Sequence, residues 1–433
     1  MYSNGREGGL RIHTVEVRIF SRALNNFENL YFIIMAQPNR GYIFEAVWAA
    51  SVAARFYKRI GDIEKIKKAG AFEKSVSNRT IMGNLPLINA KDTQDMIIEI
   101  WNSGKRLRRQ TQNDVNFKSI VKDYLVVDIG VPAPVDNFIS KMVATRNFSE
   151  IADFIRVSSA AANGSVQLQS RVKSVAFNGV VDVINVTADG LVDQRTVKAD
   201  VTVSIQSGDP KARILPFPVS CKVPGGEQFA QISGLEFDKF VSLFNNLGMS
   251  IPENIKQEWE NSVNEFINSG VFERRYATKE AIKQTKAPEK TKRAASKVYS
   301  AMAQKMQSNF PTESFANFIY QGFTSGVDTE VIKLFESSKR GNKIIVGAKT
   351  ITADQEFKNL LSQQTYRVSH SGSTIKIYAD GITGHIMQFR YRWENPSNTT
   401  GDTKTYKMYA RHYLEAGPGM FKIDPRSQEI RPR

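Results

Sequence analysis

An acidic residue and a lysine lie on two consecutive segments of this 433-residue chain that are typical of β-strands. Asp200 belongs to an alternating apolar run that continues to Ile205, and Lys222 ends a second apolar run. Glycine and proline between Ser207 and Pro210 predict a turn, so we expect Asp200 and Lys222 to lie side by side at neighbouring strand ends. A carboxylate that can hold a divalent cation, next to an ammonium group that can orient water, is suited to metal-dependent hydrolysis of a phosphodiester.

This arrangement resembles the PD-(D/E)xK nuclease superfamily, the restriction-endonuclease-like fold, in which an Asp on one strand is followed by (D/E)-x-K on the next. The second part of the motif is here Ser220-Cys221-Lys222, so Ser220 replaces the usual acidic residue. The resemblance covers roughly residues 38–250. It implies a mixed sheet flanked by helices, a Mg²⁺ cofactor (or Mn²⁺) bound by Asp200, and Lys222 as the group that orients water or stabilises the charge of the transition state.

Members of this superfamily often carry a further Glu on the first core helix. The strongly helical, apolar segment from Gly41 to Ala50 offers Glu45, which we take as a second metal-binding carboxylate. If Glu45 does not approach Asp200, the alternative is an inactive core that only binds nucleic acid. In that case Glu45 is a solvated residue on an apolar helix, and Asp200 belongs to a turn network.

Two polar residues complete the candidate catalytic set. Ser220 is two residues before Lys222 and therefore points to the same face of its strand. Gln228 follows Gly225 and Gly226 at the start of a predicted helix, where members of the superfamily sometimes place a polar residue near the site. Helix capping or surface solvation is the alternative interpretation of Gln228.

The charge of the chain favours a nucleic-acid partner. Lys and Arg total 59 against 43 Asp and Glu, which gives a formal net charge of +16. Positive charge is concentrated between Val271 and Met306, in a segment that is otherwise typical of a helix, and a solvated helix or linker explains it equally well. The candidate phosphate-binding residues of this segment are Lys290, Lys292 and Arg293.

A second basic region lies near the C-terminus. The segment from Met387 to Trp393 alternates aromatic with basic residues, and a similar segment from Tyr406 to Tyr413 follows a polar loop. This pattern predicts a β-hairpin that buries Phe389, Tyr391 and Trp393 on one face. Basic strands with interleaved aromatic residues can bind nucleic acid, although an ordinary half-buried hairpin has the same pattern. The candidate contacts are Arg390, Arg392, Lys407 and Arg411.

Several functional classes find no support in the sequence. The single cysteine, Cys221, excludes an internal disulfide, and the four histidines show no metal-ligand spacing with it. There is no phosphate-binding loop, nucleophile elbow or HExxH helix. No apolar run has the length of a membrane span, and no signal-peptide pattern begins the chain, so we expect a protein of the cytoplasm or host-cell interior that is neither secreted nor membrane-bound.

The predicted organisation has four parts. They are an N-terminal extension (1–34), a nuclease-like α/β core (35–250), a basic helical segment (251–309) and a C-terminal α+β region with the basic, aromatic hairpin (310–433). Within the core, we predict helices at 41–60, 63–68, 92–101 and 137–144, and strands at 124–129, 166–175, 180–186, 195–205 and 214–222.

The function that these features favour is a metal-dependent DNA endonuclease, related to restriction enzymes, that acts as a homodimer if it cuts both strands. The sequence leaves RNA open as a substrate. The missing acidic residue at Ser220 favours a second interpretation, a non-catalytic nucleic-acid-binding or virion-associated structural protein. A third interpretation is a protein-binding scaffold whose charge serves only solubility.

Overall fold

The computed structural model describes residues 38–68, 84–109, 125–177, 181–188, 200–207, 215–224, 237–268, 287–324, 328–339, 341–393 and 410–432. Within these ranges the chain has a mixed α/β architecture with two open sheets, which confirms the predicted fold class at that level. The predicted N-terminal extension, residues 1–34, lies outside the described residues.

Helices and strands of the N-terminal half form most of the larger sheet and its helical cover. The helices are α1 (Arg40–Lys68), α2 (Ala90–Asn102), α3 (Ala133–Thr145), α4 (Ala152–Gly164) and α5 (Val166–Phe177), with a 3₁₀ turn at Ser149–Ile151. The strands are β1 (Arg106–Arg109), β2 (Leu125–Ile129), β3 (Val181–Ala188), β4 (Val201–Ser207) and β5 (Leu215–Lys222).

Elements of the C-terminal half complete this sheet and form a second one. The helices are α6 (Phe237–Asn246), α7 (Glu253–Asn268), α8 (Ala287–Ser308), α9 (Thr312–Thr324), α10 (Gln355–Ser362) and α11 (Met420–Ile423). The strands are β6 (Thr329–Lys339), β7 (Asn342–Ala353), β8 (Tyr366–Ser371), β9 (Thr374–Ala379), β10 (Met387–Trp393), β11 (Ala410–Ala416) and β12 (Gln428–Ile430).

The larger sheet crosses the boundary predicted at residue 250. Its strand order is β1-β2-β3-β4-β5-β6-β7-β12, with parallel pairing of β2 with β3 and of β5 with β6. Strands β6, β7 and β12 come from beyond residue 310, so the sheet is not contained in residues 35–250. Local sequence patterns do not indicate this continuation, because the parallel pairing of β5 with β6 joins segments that are distant in the chain.

Helix α1 runs for 29 residues, where the sequence suggested two helices separated at Gly61. A glycine in a helix interior costs about 1 kcal/mol relative to alanine, which is too little to end a helix whose apolar side is buried. Phe44, Val47 and Trp48 are fully buried against the larger sheet and its helices. In the part of the chain that the structure describes, no helix combines the length and apolar character needed to cross a membrane.

The predicted strand at 166–175 is wrong, because this segment forms α5. Leu168 and Val172 are fully buried and lie four residues apart, which places them on one face of a helix, whereas Val166 is 58% exposed. Ser165 precedes the helix and its hydroxyl accepts a hydrogen bond from the backbone N–H of Leu168. The apolar residues therefore fit a helical period better than the strand period that the sequence suggested.

The predicted C-terminal hairpin is present as β10 and β11, which pair antiparallel from Met387 opposite Ala416 to Trp393 opposite Ala410. Phe389 and Tyr391 are buried as expected. The second strand lies later in the chain than the predicted segment 406–413, whose first four residues are outside the described ranges. The side chain of Trp393 is also outside the description.

An aromatic cluster holds this hairpin against α6 and α8, with a buried histidine at its centre. The ring of His412 stacks on Phe240 with centroids 4.2 Å apart, and its Nδ1 shares a 3.0 Å hydrogen bond with the hydroxyl of Tyr299. Because the imidazole is fully buried, desolvation lowers the pKa of His412 from 6.5 to about 3. Between about pH 3 and pH 6.5, the folded protein therefore keeps His412 neutral, whereas the unfolded chain protonates it.

We predict that the free energy of unfolding falls between about pH 6.5 and pH 3 in part because of His412. The unfolded state binds a proton on this residue below pH 6.5 and the folded state does not, so acid favours unfolding. His412→Phe should remove on the order of 3 kcal/mol of the loss between neutral pH and pH 4. Urea unfolding at several pH values measures this, with His370→Phe on strand β8 as the matched control. Equal pH dependence in both variants would contradict the prediction.

Candidate functional site

The structure brings Asp200 and Lys222 together where the start of β4 meets the end of β5, two central strands of the larger sheet. Asp200 directly precedes β4, and its backbone N–H donates to the carbonyl oxygen of Val219 on β5 at 2.9 Å. Val201 lies opposite Val219 in the antiparallel register, so the start of β4 lies beside the end of β5. This is the juxtaposition that the turn between the two strands predicted.

The Asp200 carboxylate accepts three hydrogen bonds from β5, all on Oδ2. The donors are the hydroxyl of Ser220 at 3.1 Å, the backbone N–H of Cys221 at 2.6 Å and the ammonium group of Lys222 at 3.3 Å. The side chains of Asp200 and Lys222 are 23% and 26% exposed, so the ion pair is half-buried but reachable from solvent. None of these bonds uses Oδ1, which leaves that oxygen for another ligand.

Glu45 joins this pair from helix α1, which packs across β2, β3 and β5. Its neighbours Phe44 and Ala46 are buried, and Glu45 itself is partly buried. Burial and, to a smaller extent, the negative charge of Asp200 raise the pKa of Glu45, and the positive charge of Lys222 lowers it, so that the pKa is about 8. The carboxyl group of Glu45 is therefore largely protonated at neutral pH and responds to the charges of both other residues.

Tyr42 is a member of this cluster that sequence reasoning missed. It lies three residues before Glu45 on α1 and therefore on a neighbouring part of the helix surface. Burial raises the pKa of the Tyr42 phenol, and the charges of Glu45 and Asp200 raise it further. Its spacing from Glu45 was the signal in the sequence that could have identified it.

A second buried acid, Glu330, lies on the neighbouring strand β6, opposite Val219. Its carboxylate accepts a 2.8 Å hydrogen bond from the hydroxyl of Ser165. Burial raises the pKa of Glu330 to about 7, and the bond from Ser165 acts in the opposite direction. Glu330 also raises the pKa of the buried Cys221 thiol, after burial itself and the charges of Asp200 and Glu45.

The first turn of α1 is fixed in place on both sides of Glu45. The side chain of Asn39 accepts a hydrogen bond from the backbone N–H of Gly41 at 2.8 Å and so caps the helix. Arg40 binds Glu336 on β6 at 2.9 Å and lies 5.5 Å above the ring of Phe154 on α4. These contacts tie the beginning of α1 to the sheet, which fixes the position from which Glu45 reaches the site.

Two converging carboxylates fit a small divalent cation. Mg²⁺ is commonly held by one or two protein carboxylates, with water and substrate phosphate oxygens as the other ligands. Glu45 and Oδ1 of Asp200, which accepts none of the three hydrogen bonds from β5, could supply such ligands, and a cation would relieve the repulsion that raises the pKa of Glu45. Over the described ranges, no group of three or more His, Cys, Asp or Glu side chains is placed to hold a metal ion.

The remaining predicted residues are placed as follows. Gln228 lies outside the described residues, so its predicted role stays a prediction. Lys292 and Arg293 are exposed on α8, on the side opposite the buried Ala294 and Ala295. Lys290 belongs to the same helix, but its side chain is outside the description.

Of the four hairpin residues predicted to contact nucleic acid, Arg390 is the one whose side chain the structure describes. Arg390 donates to Glu415, a side chain only 4% exposed, at 2.5 Å, so its positive charge is neutralised within the hairpin. Arg392 and Arg411 lie opposite each other in the strand register, and their side chains are outside the description. Lys407 lies outside the described residues.

Comparison of the chain with models of known protein families, with curated protein sequences and with solved structures finds no significant match in any of the three.

We predict that Glu45→Gln stabilises the protein at alkaline pH. The folded-state pKa of Glu45 is raised to about 8, so the unfolded chain loses this proton at lower pH than the folded protein does. The resulting loss of stability begins above about pH 4.5 and is complete above about pH 8. A glutamine cannot ionise, and the variant should be more stable than the native protein by on the order of 1–3 kcal/mol at pH 8.5.

Urea unfolding at about pH 4.5 and about pH 8.5 measures this difference, which should shrink towards zero at the lower pH. Glu260→Gln is the matched control, because Glu260 is exposed in the middle of α7. A Glu45→Gln variant that is no more stable than the Glu260→Gln variant at pH 8.5 would mean that the folded protein does not hold Glu45 in a desolvated state.

Proposed function

We propose that this protein is a metal-dependent nuclease that hydrolyses phosphodiester bonds in DNA. The observation that carries the proposal is the convergence of Glu45, Asp200 and Lys222 from a helix and two adjacent strands. It combines two carboxylates suited to a divalent cation with an ammonium group at a half-buried, solvent-accessible position.

Each residue has a distinct part in the proposed reaction. Glu45 and Asp200 would hold Mg²⁺ or Mn²⁺, which when bound polarises a phosphoryl oxygen and lowers the pKa of a coordinated water. Lys222 donates to Asp200 in the absence of substrate and can donate instead to a phosphate oxygen, whose added negative charge it stabilises as water attacks. Tyr42 can donate a further hydrogen bond from the same side of α1.

Ser220 alters the electrostatics of the site in a definable way. A carboxylate at this position would add a negative charge and further oxygen ligands, whereas the Ser220 hydroxyl donates a hydrogen bond to Asp200. The site therefore has one negative charge fewer than the superfamily motif implies. We expect weaker binding of Mg²⁺ as a result, because affinity for this ion depends on the number of charged oxygen ligands.

DNA is the proposed substrate because of the charge of the whole chain. A net charge of +16 attracts a polyanion at long range, and counterion release favours its binding. The exposed Lys292 and Arg293 on α8 are suited to contact phosphates. Cutting both strands of a duplex would require two such sites, and a homodimer would supply them.

One observation favours a second candidate, a non-catalytic nucleic-acid-binding or structural protein with the same fold. Ser220, Cys221 and Lys222 already satisfy Oδ2 of Asp200 without a cation. A carboxylate whose only role is to stabilise the pairing of β4 with β5 would form the same hydrogen bonds.

We predict that the purified protein cuts supercoiled plasmid or single-stranded DNA in the presence of Mg²⁺ or Mn²⁺, and that EDTA abolishes cutting. Asp200→Asn, Lys222→Met and Glu45→Gln should each lower the cleavage rate by at least about a hundredfold, since each removes a charge that acts on the reacting phosphate or its cation. Conversion of plasmid to nicked and linear forms measures this on agarose gels.

Lys141→Met, which removes an exposed lysine of α3, is the matched control and should retain full activity. Its activity would show that loss of one positive charge is not enough to abolish cleavage. Salt-sensitive DNA binding without cleavage in any metal would support the second candidate. Cleavage that survives in the Asp200→Asn variant would place the active centre elsewhere.

We also predict that the cleavage rate at limiting Mg²⁺ rises with pH, with a midpoint near pH 8, and levels off above it. The pKa of Glu45 is about 8, and the cation competes with the proton for this carboxylate. A higher Mg²⁺ concentration should therefore move the midpoint of the profile to lower pH. Initial rates between about pH 6 and pH 9 at two Mg²⁺ concentrations measure this shift. A midpoint that does not depend on Mg²⁺ would contradict the prediction.

A further inference from the structure

The smaller sheet buries one face and leaves much of the other open to solvent. Ile375, Ile377 and Phe389 are fully buried on the inner face, where α8 and α6 pack against the strands. On the outer face, Ser369 and Ser371 of the edge strand β8 are exposed. One buried and one solvated face are usual for an antiparallel sheet, so exposure alone does not mark a binding surface.

The strands of this sheet are rich in positive charge. The four strands β8 to β11 contain five Lys or Arg residues and one acidic residue, Glu415. The Glu415 carboxylate already accepts hydrogen bonds from the side chains of Gln388 and Arg390. Its negative charge is therefore taken up at the β10–β11 side of the sheet and does not neutralise the cations of β8 and β9.

Lys376 lies near the middle of the outer face. It is on β9, opposite Ser369 of β8 on one side and Gln388 of β10 on the other. The cations Arg367 and Arg390 each bind a carboxylate. Lys376 is partly exposed, and among the residues that the structure describes no carboxylate forms an ion pair with it. Its ammonium group is thus open to an anion from solution.

Hydroxyl groups accompany this lysine. Ser369 is its direct neighbour on β8, and the next row across the strands consists of Ser371, Thr374 and Arg390. Lysine ammonium groups and the hydroxyl groups of serine and threonine are among the groups that proteins use to contact phosphate oxygens of nucleic acid. The outer face therefore has the composition of a phosphate-binding surface.

The basic residues of α8 border the same surface. The hydroxyl of Ser296 on α8 donates to the carbonyl oxygen of Gly372, in the turn between β8 and β9, at 3.1 Å. The exposed Lys292 and Arg293 are one helical turn before Ser296 and lie on the same side of α8. They therefore lie near the end of the sheet that carries Thr374. Basic regions that are separate in the sequence meet here through β8 and β9.

We propose that the outer face of β8, β9 and β10 binds the phosphate backbone of single-stranded DNA, with Lys376 as its central contact. The inference rests on the proposed nuclease function, for which this face would hold the substrate. The three strands span about 10 Å, and a flexible single strand can place successive phosphates over such an area. A duplex is stiff over about 150 base pairs and would touch a sheet face along one line unless it were bent.

The test is the salt dependence of DNA binding by the full chain in EDTA, where the proposed cleavage does not occur. Fluorescence anisotropy of a labelled single-stranded oligonucleotide measures the binding constant between about 50 and 200 mM salt. Lys376→Gln should reduce the slope of log K against log salt concentration by about 0.7, the value for one phosphate contact on a single strand. It should weaken binding about fourfold at about 150 mM salt.

Two further variants control for the charge and for its position. Lys376→Arg keeps the positive charge and should bind as the native protein does. Lys141→Gln removes an exposed lysine from α3, in the N-terminal half of the chain, and should change neither the slope nor the affinity.

An unchanged slope in the Lys376→Gln variant would overturn the proposal, as would an equal loss of slope in the Lys141→Gln variant. Stronger competition by an unlabelled duplex than by an unlabelled single strand of the same sequence would also overturn it. Failure of this surface can be distinguished from failure of the nuclease function. Metal-dependent cleavage with an unchanged slope in Lys376→Gln would leave the nuclease and remove the surface, and a reduced slope without cleavage in any metal would do the reverse.

Discussion

The closeness of two carboxyl groups, on Glu45 and Asp200, is the constraint on which the candidate site depends. Burial and the charge of Asp200 both disfavour the ionised form of Glu45, so its position works against stability at neutral pH. Apolar packing of α1 offsets this cost, with Phe44 and Trp48 fully buried beside Glu45. Such an arrangement is typical of groups retained for binding or catalysis, since an alanine or glutamine would pack there at lower cost.

The sheet that supports this site draws on both halves of the chain. Strand β6 runs parallel to β5 and carries Glu336, which binds Arg40 at the beginning of α1. It also carries the buried Glu330, which lies opposite Val219. The position of Glu45 therefore depends on residues beyond 310, and a fragment that ends near residue 250 would lack the strand that completes the sheet on this side.

Burial and pairing decide which of the many positive charges can meet a polyanion. On α8, the buried Ala294, Ala295 and Val298 turn Lys292 and Arg293 towards solvent. On the hairpin, the buried Glu415 takes up the charge of Arg390. Both sets of residues look alike in the sequence, because local composition does not show which carboxylates lie across a strand.

The sequence by itself determined the pairing of Asp200 with Lys222, the mixed α/β class and the C-terminal hairpin, because alternating apolar residues fix which face of each strand is buried and so restrict its register. It did not determine α5, because the four-residue spacing of Leu168 and Val172 fits both a strand and a helix. The burial of these two residues on one face identifies the helix. Only the tertiary structure decided that Glu45 meets Asp200. The electrostatic influence of Asp200 on Glu45 joins distant parts of the chain, and it arises from the packing of α1 across the sheet, which no local pattern encodes.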